Sequence, residues 1–209
     1  MLDIRDVTIQ YGESGEAVNG FSLKLKPGEI VGIVGESGSG KTTVIRSVMG
    51  LLPGLGRVTS GDIIFDGQSL LDLKPAQWQK MRGTDISMIF QDSGSMINPI
   101  RRVGSQFIEY LRTHSEMTKK EAHARAVELL ELMRLPDGEN IMRSYPFQLS
   151  GGMRQRVGIA MAMSFKPKLL LADEPTSALD VTTQAQIVRQ MMEMHGRYGT
   201  AILLVTHNI

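Results

Sequence analysis

Residues 35–42 read Gly-Glu-Ser-Gly-Ser-Gly-Lys-Thr, and that order of residue types does one kind of chemistry well. Gly35, Gly38 and Gly40 let the backbone turn tightly, so that successive N–H groups point at phosphate oxygens. A helix starting near Gly40 adds the positive end of its dipole. Lys41 supplies a mobile cation to the β- and γ-phosphates, and Thr42 offers a hydroxyl to Mg²⁺. Glu36, Ser37, Ser39 and Thr43 complete the loop. Further along, the apolar run Leu169-Leu170-Leu171-Ala172 ends in Asp173-Glu174. A buried strand there delivers two carboxylates at its carboxyl end, where ligands bind in open α/β sheets. Asp173 can hold the Mg²⁺ shell, and Glu174 can polarise an attacking water. The two segments together point to a bound triphosphate and to its hydrolysis.

Other residues gain meaning from that pair. Ser150-Gly151-Gly152 precedes a helix, with Ser150 as N-cap and the glycines exposing backbone N–H groups. In isolation this is a capped helix start; beside a phosphate loop it reads as a second phosphate clamp. Gln91 ends a strand, where its amide can touch Mg²⁺ or water. His207 ends the last strand, where an imidazole can meet the γ-phosphate. Tyr11 is open between stacking on adenine and being an ordinary strand-end aromatic. Arg154 and Arg156 read as surface or inter-lobe residues, and His114, His123 and His195 as helix-surface residues.

The elements that must carry these groups follow from periodicity. Leu2 to Tyr11 and Phe21 to Leu25 alternate as strands, the second closed by a Pro27-Gly28 turn. Ile30 to Val34 reads as a buried central strand. Lys41 to Leu51 has helical spacing, ended by Pro53-Gly54. Asp62 to Phe65 and Asp85 to Phe90 read as strands, with a short helix near Pro75 to Arg82 between them. After Gln91 come a loop at Gly94, Asn98 and Pro99, then helices over Val103 to Arg112 and Lys119 to Leu135. Thr118 with Glu121 forms a capping box. This stretch, without strand patterns, reads as a helical lobe inserted into an α/β core. Helices are expected at Gly151 to Ser164 and Val181 to His195, the latter with Ile187, Val188, Met191 and Met194 on one side. Lys168 to Ala172 and Thr200 to Thr206 read as strands. Strands alternating with helices imply a mainly parallel sheet.

The chain has 209 residues, the size of one domain or of one core with a smaller lobe. A net charge of +1 gives no electrostatic footprint for nucleic acid. There is no cysteine, which excludes disulfides and thiolate metal sites. No apolar run reaches membrane-spanning length, so the chain is expected in the cytosol unless a partner holds it at a membrane. The 14 methionines are either adaptable core filler or a deformable docking surface around Met81, Met88 and Met96. Ile209 follows so soon after the last strand that the chain reads as a fragment of a longer protein.

Together these residues resemble the ATP-binding subunits of ABC transporters, over essentially the whole chain. The Walker A motif is Gly35 to Thr42, the Q-loop Gln91, and the signature Leu149 to Gln155, reading LSGGMRQ. Walker B is Leu169 to Asp173 with Glu174 after it, the D-loop Ser177-Ala178-Leu179-Asp180, and the H-loop His207. GIVGESGSGKT, IFQD then INP, YPFQLSGGMRQRV and ADEPTSALDVTTQAQI look most like importers of oligopeptides, dipeptides and nickel. The resemblance implies a RecA-like P-loop NTPase core (1–91 and 148–209), an N-terminal antiparallel β subdomain and an α-helical subdomain at about 92–147. It implies ATP and Mg²⁺ as cofactors, with Mg²⁺ held by Thr42, Gln91 and Asp173, and Glu174, His207, Gln91 and Lys41 as the hydrolytic set. It further implies a second ATPase subunit, alike or different, whose signature closes over this chain's γ-phosphate while Ser150 to Gly152 serve the partner's site. A membrane permease would dock on the helical lobe, with an extracytoplasmic solute-binding protein beyond it, placing this chain at the cytoplasmic face of a bacterial membrane. The chain departs from the subgroup in two places. It has Gln91-Asp92-Ser93-Gly94 where QDP is common, and it stops before the usual cysteine-bearing C-terminal extension.

Rival readings are an ABC-type ATPase without a permease, a small-molecule P-loop kinase and a binding-only regulatory subunit. The first is disfavoured by the compact lobe and near-zero charge. A kinase has no use for LSGGMRQ followed by a D-loop. The third is disfavoured by the presence of Glu174 and His207.

Overall fold

The structure is a computed structural model describing residues 1–13, 15–91, 96–177 and 179–207. Asp92, Ser93 and Gly94 of the expected transmission loop, and Ala178 of the expected D-loop, lie outside the described residues. In chain order the strands are β1 (Leu2–Tyr11), β2 (Glu16–Leu25), β3 (Ile30–Val34), β4 (Gly56–Phe65), β5 (Gln68–Ser69), β6 (Ile86–Ile89), β7 (Leu169–Asp173) and β8 (Ala201–Thr206). The helices are α1 (Lys41–Val48), α2 (Pro75–Met81), α3 (Val103–Thr113), α4 (Lys119–Leu132), α5 (Gly138–Arg143), α6 (Gly151–Ala162) and α7 (Val181–Tyr198).

The strands form two sheets. One is antiparallel, in the order β2-β1-β4-β5, and the other is parallel, in the order β3-β8-β7-β6. The alternation of strands and helices predicted a mainly parallel sheet. Half of the strands instead make the antiparallel layer that the family resemblance implied. β4 runs back to Gly56, well before the expected start at Asp62, because Gly61 at φ +80° takes a kink against the Arg5 and Asp6 carbonyls without breaking the strand.

Strand β7 is the hinge of the packing. Its Leu169 and Leu171 join a core made with β1, β2, β4 and α1, while Leu170 and Ala172 join a second core with α6, α7 and α3–α5. Both faces are thus apolar, and each leucine gains about 1.5–3 kcal/mol on full burial. That is enough to carry Asp173, at the strand's end, down to 3% exposure.

Four expectations need correction. β3 is an edge strand, not a central one: among the described residues it pairs only with β8, and Ile30 and Val34 stay 38% and 48% exposed. A continuous apolar run cannot by itself tell an edge from a centre. α1 stops at Val48, before Pro53-Gly54, because Gly50 takes φ +61° and its N–H bonds back to the Ser47 carbonyl, with Leu51 bonding to Arg46. α4 ends at Leu132, short of Leu135, since Arg134 sits at φ +53°. Val188 is exposed, and the polar Gln190 takes a buried place beside Ile187, Met191 and Met194. Helix α5 was not foreseen; Asp137 caps it through the Asn140 N–H at 3.0 Å. The Thr118–Glu121 capping box is present as expected.

Candidate functional site

The parallel order of β3 and β7 sends both carboxyl ends the same way, and the loops after them meet there. A cavity of about 510 Å³ opens between them. It is lined by Ser37, Gly38, Gly40, Lys41, Thr42 and Thr43 on one side and by Gln91, Glu174 and His207 on the other, with Ala17 at the rim. Gly40 takes φ +88°, and a Cβ there would lie 2.7 Å from the Ala17 carbonyl oxygen, so only glycine lets β2 approach the start of α1.

Lys41 is 8% exposed, and its ammonium donates to the Gly35 and Glu36 carbonyls at 2.7 and 2.6 Å and to Ser39 Oγ at 3.4 Å. Among the described residues no carboxylate forms an ion pair with it. A buried cation held by neutral oxygens calls for an anion. Thr42 Oγ1 donates to Asp173 Oδ1 at 2.9 Å. Burial pushes the Asp173 carboxyl above its ordinary range, against the Thr42 hydrogen bond and the nearby Arg46 and Lys41 charges, which lower it. A cation bound at Asp173 would reverse that cost. Thr42, Asp173 and Gln91 form an all-oxygen donor set once the Gln91 amide presents its oxygen, which suits a hard cation such as Mg²⁺. Among the described residues there is no group of three or more His, Cys, Asp or Glu able to cage a metal alone.

Glu174 has both carboxylate oxygens engaged. Oε1 lies 3.0 Å from His207 Nδ1, and Oε2 accepts from Gln91 Nε2 at 3.2 Å. Its backbone stands at φ +45°, a left-handed conformation that costs about 1–3 kcal/mol in a non-glycine residue and recurs at functional sites. Tyr11 ends β1 with its ring against Gly56 and its hydroxyl 3.4 Å from Thr43 Oγ1, beside the loop but outside the cavity lining.

Ser150, Gly151 and Gly152 line a different cavity, with Arg156, Asp180 and Thr183, which shares no lining residue with the first. Ser150 Oγ caps α6 by accepting from the Met153 N–H at 3.3 Å, and Asp180 caps α7 through the Thr183 N–H at 3.0 Å. Two helix N-termini therefore open on one cavity, the arrangement that binds anions. Arg156, read from sequence as a surface or inter-lobe residue, lines it as well; its Nε is buried without a partner, and one amino group donates to Gln186 at 2.6 Å. Sequence reasoning missed Ala17 and Arg156; neither carries a spacing signal, because their places come from tertiary packing. A third cavity, about 320 Å³, lies between β6, α3 and α6 and is lined mainly by Met88, Phe90, Met96, Ile97, Tyr110 and Met161. Two of the three methionines weighed as a docking surface are here; Met81 packs into the core beneath the antiparallel sheet.

A family model described as ABC transporter matches residues 18–177. The chain is 44% identical to the probable peptide ABC transporter ATP-binding protein y4tR of Sinorhizobium fredii, to the oligopeptide transport ATP-binding protein OppD of Escherichia coli and to the probable D,D-dipeptide transport ATP-binding protein DdpD of Escherichia coli. In each case all of this chain is covered, and it spans 64%, 63% and 65% of those relatives respectively. Among solved structures it is similar to the ATP-binding cassette MJ0796, in a dimeric post-hydrolysis state bound to ADP and Pi. The TM-score is 0.86 at 31% identity, over 100% of this chain and 88% of that one. The two-sheet core with its helical insertion is thus the P-loop NTPase fold of such cassettes.

Proposed function

This chain belongs to the ABC transporter family, and from that premise we propose that it is the ATP-binding and ATP-hydrolysing subunit of a membrane importer, with peptides as the solute class. The observation that carries the reading is the division of the phosphate-binding groups. Lys41 and Glu174 face one cavity, while the helix start at Ser150–Gly152 faces another that shares no lining residue with it. Each chain then needs a second, placed so that its Ser150–Gly152 segment closes over this chain's nucleotide.

The loop 35–43 binds the phosphates, with Lys41 moving its ammonium from the Gly35 and Glu36 carbonyls to the β- and γ-phosphates, and Tyr11 beside the adenine. Thr42, Asp173 and Gln91 would hold Mg²⁺, whose charge would offset that of the transferred phosphoryl group. For this Gln91 must release Glu174, since its amide now donates to the carboxylate. Freed on that side, Glu174 accepts a proton from water as the water oxygen bonds to the γ-phosphorus and the bond to the β-phosphate oxygen breaks, releasing ADP. His207 holds the γ-phosphate. Each element acts by positioning and charge, so a lone half-site turns over slowly. The methionine-lined cavity beside Gln91 offers the permease a deformable seat on the helical lobe. No helix among the described residues is long and apolar enough to cross a membrane.

The test is the mass in solution of the Glu174→Gln variant, by light scattering, with and without ATP. An ATP-dependent shift from monomer to dimer supports the shared site. A chain that stays monomeric with ATP bound points to a different ATPase subunit as its partner or to a need for sequence beyond this chain, and the same test on a longer chain separates the two.

A further inference from the structure

Glu174 adopts φ +45° immediately before Pro175. Left-handed backbone crowds a Cβ against the carbonyl, and a following proline biases its neighbour towards extended conformations. Such a residue keeps its place only where the surroundings over-determine it. The Glu174 N–H donates to the Val205 carbonyl at 2.9 Å, and the Ser177 N–H and hydroxyl both donate to the Glu174 carbonyl at 3.2 Å. A further tie comes from another element. Gln155 of α6, 5% exposed, donates through Nε2 to the Pro175 carbonyl at 2.6 Å. Gln184 of α7 holds the same segment farther on, donating to the Thr176 and Leu179 carbonyls at 2.9 and 3.0 Å.

We propose that Gln155 is a positioning residue for Glu174: its buried amide, by holding the Pro175 carbonyl, maintains the left-handed turn that aims the Glu174 carboxylate into the nucleotide cavity. The inference rests on the reading of Glu174 as the base. Volume alone does not explain a glutamine here. Leucine or methionine would fill the space between α6 and the loop without burying an amide, and a buried amide is tolerated because it is bonded. Gln155 does not line the nucleotide cavity, so it acts through the backbone at 174–175. Its position has a second consequence. It lies just over one turn along the helix whose first turn, Ser150–Gly152, faces the partner's nucleotide. A shift of α6 would therefore reach the backbone at 174–175 through this hydrogen bond.

The experiment is a double-mutant cycle on the full chain, with Gln155→Leu, Glu174→Gln and the pair, followed by steady-state and single-turnover ATP hydrolysis and by ADP binding. Gln155→Leu should lower kcat about tenfold, while KM for ATP and the ADP affinity stay within about twofold. In the Glu174→Gln background it should lower the residual rate no further, because the group it positions is gone. Unchanged turnover in Gln155→Leu, or the same fractional loss in both backgrounds, overturns the proposal. If the leucine variant does not fold, Gln155→Asn carries the same expectation, since it keeps the amide but withdraws it by one methylene. A parent chain that pairs in the presence of ATP yet hydrolyses none overturns both the role of Glu174 and this inference. An active parent indifferent to Gln155→Leu overturns the inference alone.

Discussion

The Thr42 hydroxyl donates to Asp173 Oδ1 at 2.9 Å, joining the first turn of α1 to the end of β7 across the floor of the nucleotide cavity. The carboxylate is almost fully buried, and burial raises its pKa. The folded protein therefore binds that proton more tightly than the unfolded chain does. The contribution favours folding below the unfolded carboxyl pKa, and it is lost as pH rises through the higher folded value. At pH 7 the nucleotide-free protein carries the full desolvation cost. Asp173→Asn keeps an acceptor for Thr42 and removes that cost. It should raise Tm at pH 7 by about 2–4 °C for each kcal/mol relieved. The gain should shrink as pH falls through the raised value of the native carboxyl and it protonates. The same variant should lose the Mg²⁺-dependent part of ATP affinity. Melting curves across pH and ATP titrations with and without Mg²⁺ check both halves.

Glu174→Gln should reduce ATP turnover by roughly 10²–10⁴, the range for a positioned general base, while nucleotide still binds. The glutamine amide can still accept from Gln91, so the cavity should keep its shape. Near-normal turnover by a coupled phosphate assay would remove Glu174 from the role.

Lys41→Ala acts on binding instead. The ammonium now sits among carbonyl oxygens only 2.6–2.7 Å away, and on binding it gains charged phosphate oxygens. A hydrogen bond to a charged group contributes about 1.5–3 kcal/mol, so ATP affinity should fall roughly 10- to 100-fold. Calorimetric titration with ATP measures this; an unchanged Kd would sink the loop assignment.

The chemistry was more legible in the sequence than the architecture. Lys41, Thr42, Asp173 and Glu174 were readable because phosphate and metal chemistry demands those types in short runs, and the structure brings them together around one cavity. The edge position of β3 was not readable, because an apolar pentapeptide looks the same whether one or two strands flank it. Helix α5 was invisible because six residues are too few for a period, and its cap, Asp137, sits at a left-handed φ of +54°. Gln155 looked like the tail of a motif. Only the fold shows its amide against the Pro175 carbonyl, a partner 20 residues away.

Gly152→Ala sets two effects against each other. Alanine favours a helix over glycine by up to about 1 kcal/mol. A Cβ at 152 would, however, lie 2.7 Å from Thr183 Cγ2 on the first turn of α7. Overpacking costs about 1–3 kcal/mol, so the clash wins and Tm should fall. Thr183→Ser removes that methyl while keeping the hydroxyl that donates to Asp180 at 2.7 Å. In that background Gly152→Ala should become neutral or stabilising. A thermal-melt cycle of the four proteins decides it; an equal loss in both backgrounds would place the strain elsewhere.

Arg82 secures the far end of the phosphate-loop helix. Its guanidinium donates to the Met49 carbonyl at 3.0 and 2.8 Å and to the Gly50 carbonyl at 3.0 Å, and it stacks over Trp78 at 4.5 Å. These carbonyls follow the last turn of α1, where a cation also meets the negative end of the dipole. Arg82→Ala leaves them unpartnered and should destabilise the fold by about 1–3 kcal/mol. Arg82→Lys keeps the charge but not the planar fork that reaches two carbonyls at once, so it should recover only part of the loss. Because the contact lies at the opposite end of α1 from Lys41 and Thr42, ATP affinity in folded Arg82→Lys should match the parent. Denaturant unfolding and an ATP titration on the same samples separate the two effects. A large affinity loss with unchanged stability would mean that Arg82 acts on the loop rather than on the helix end.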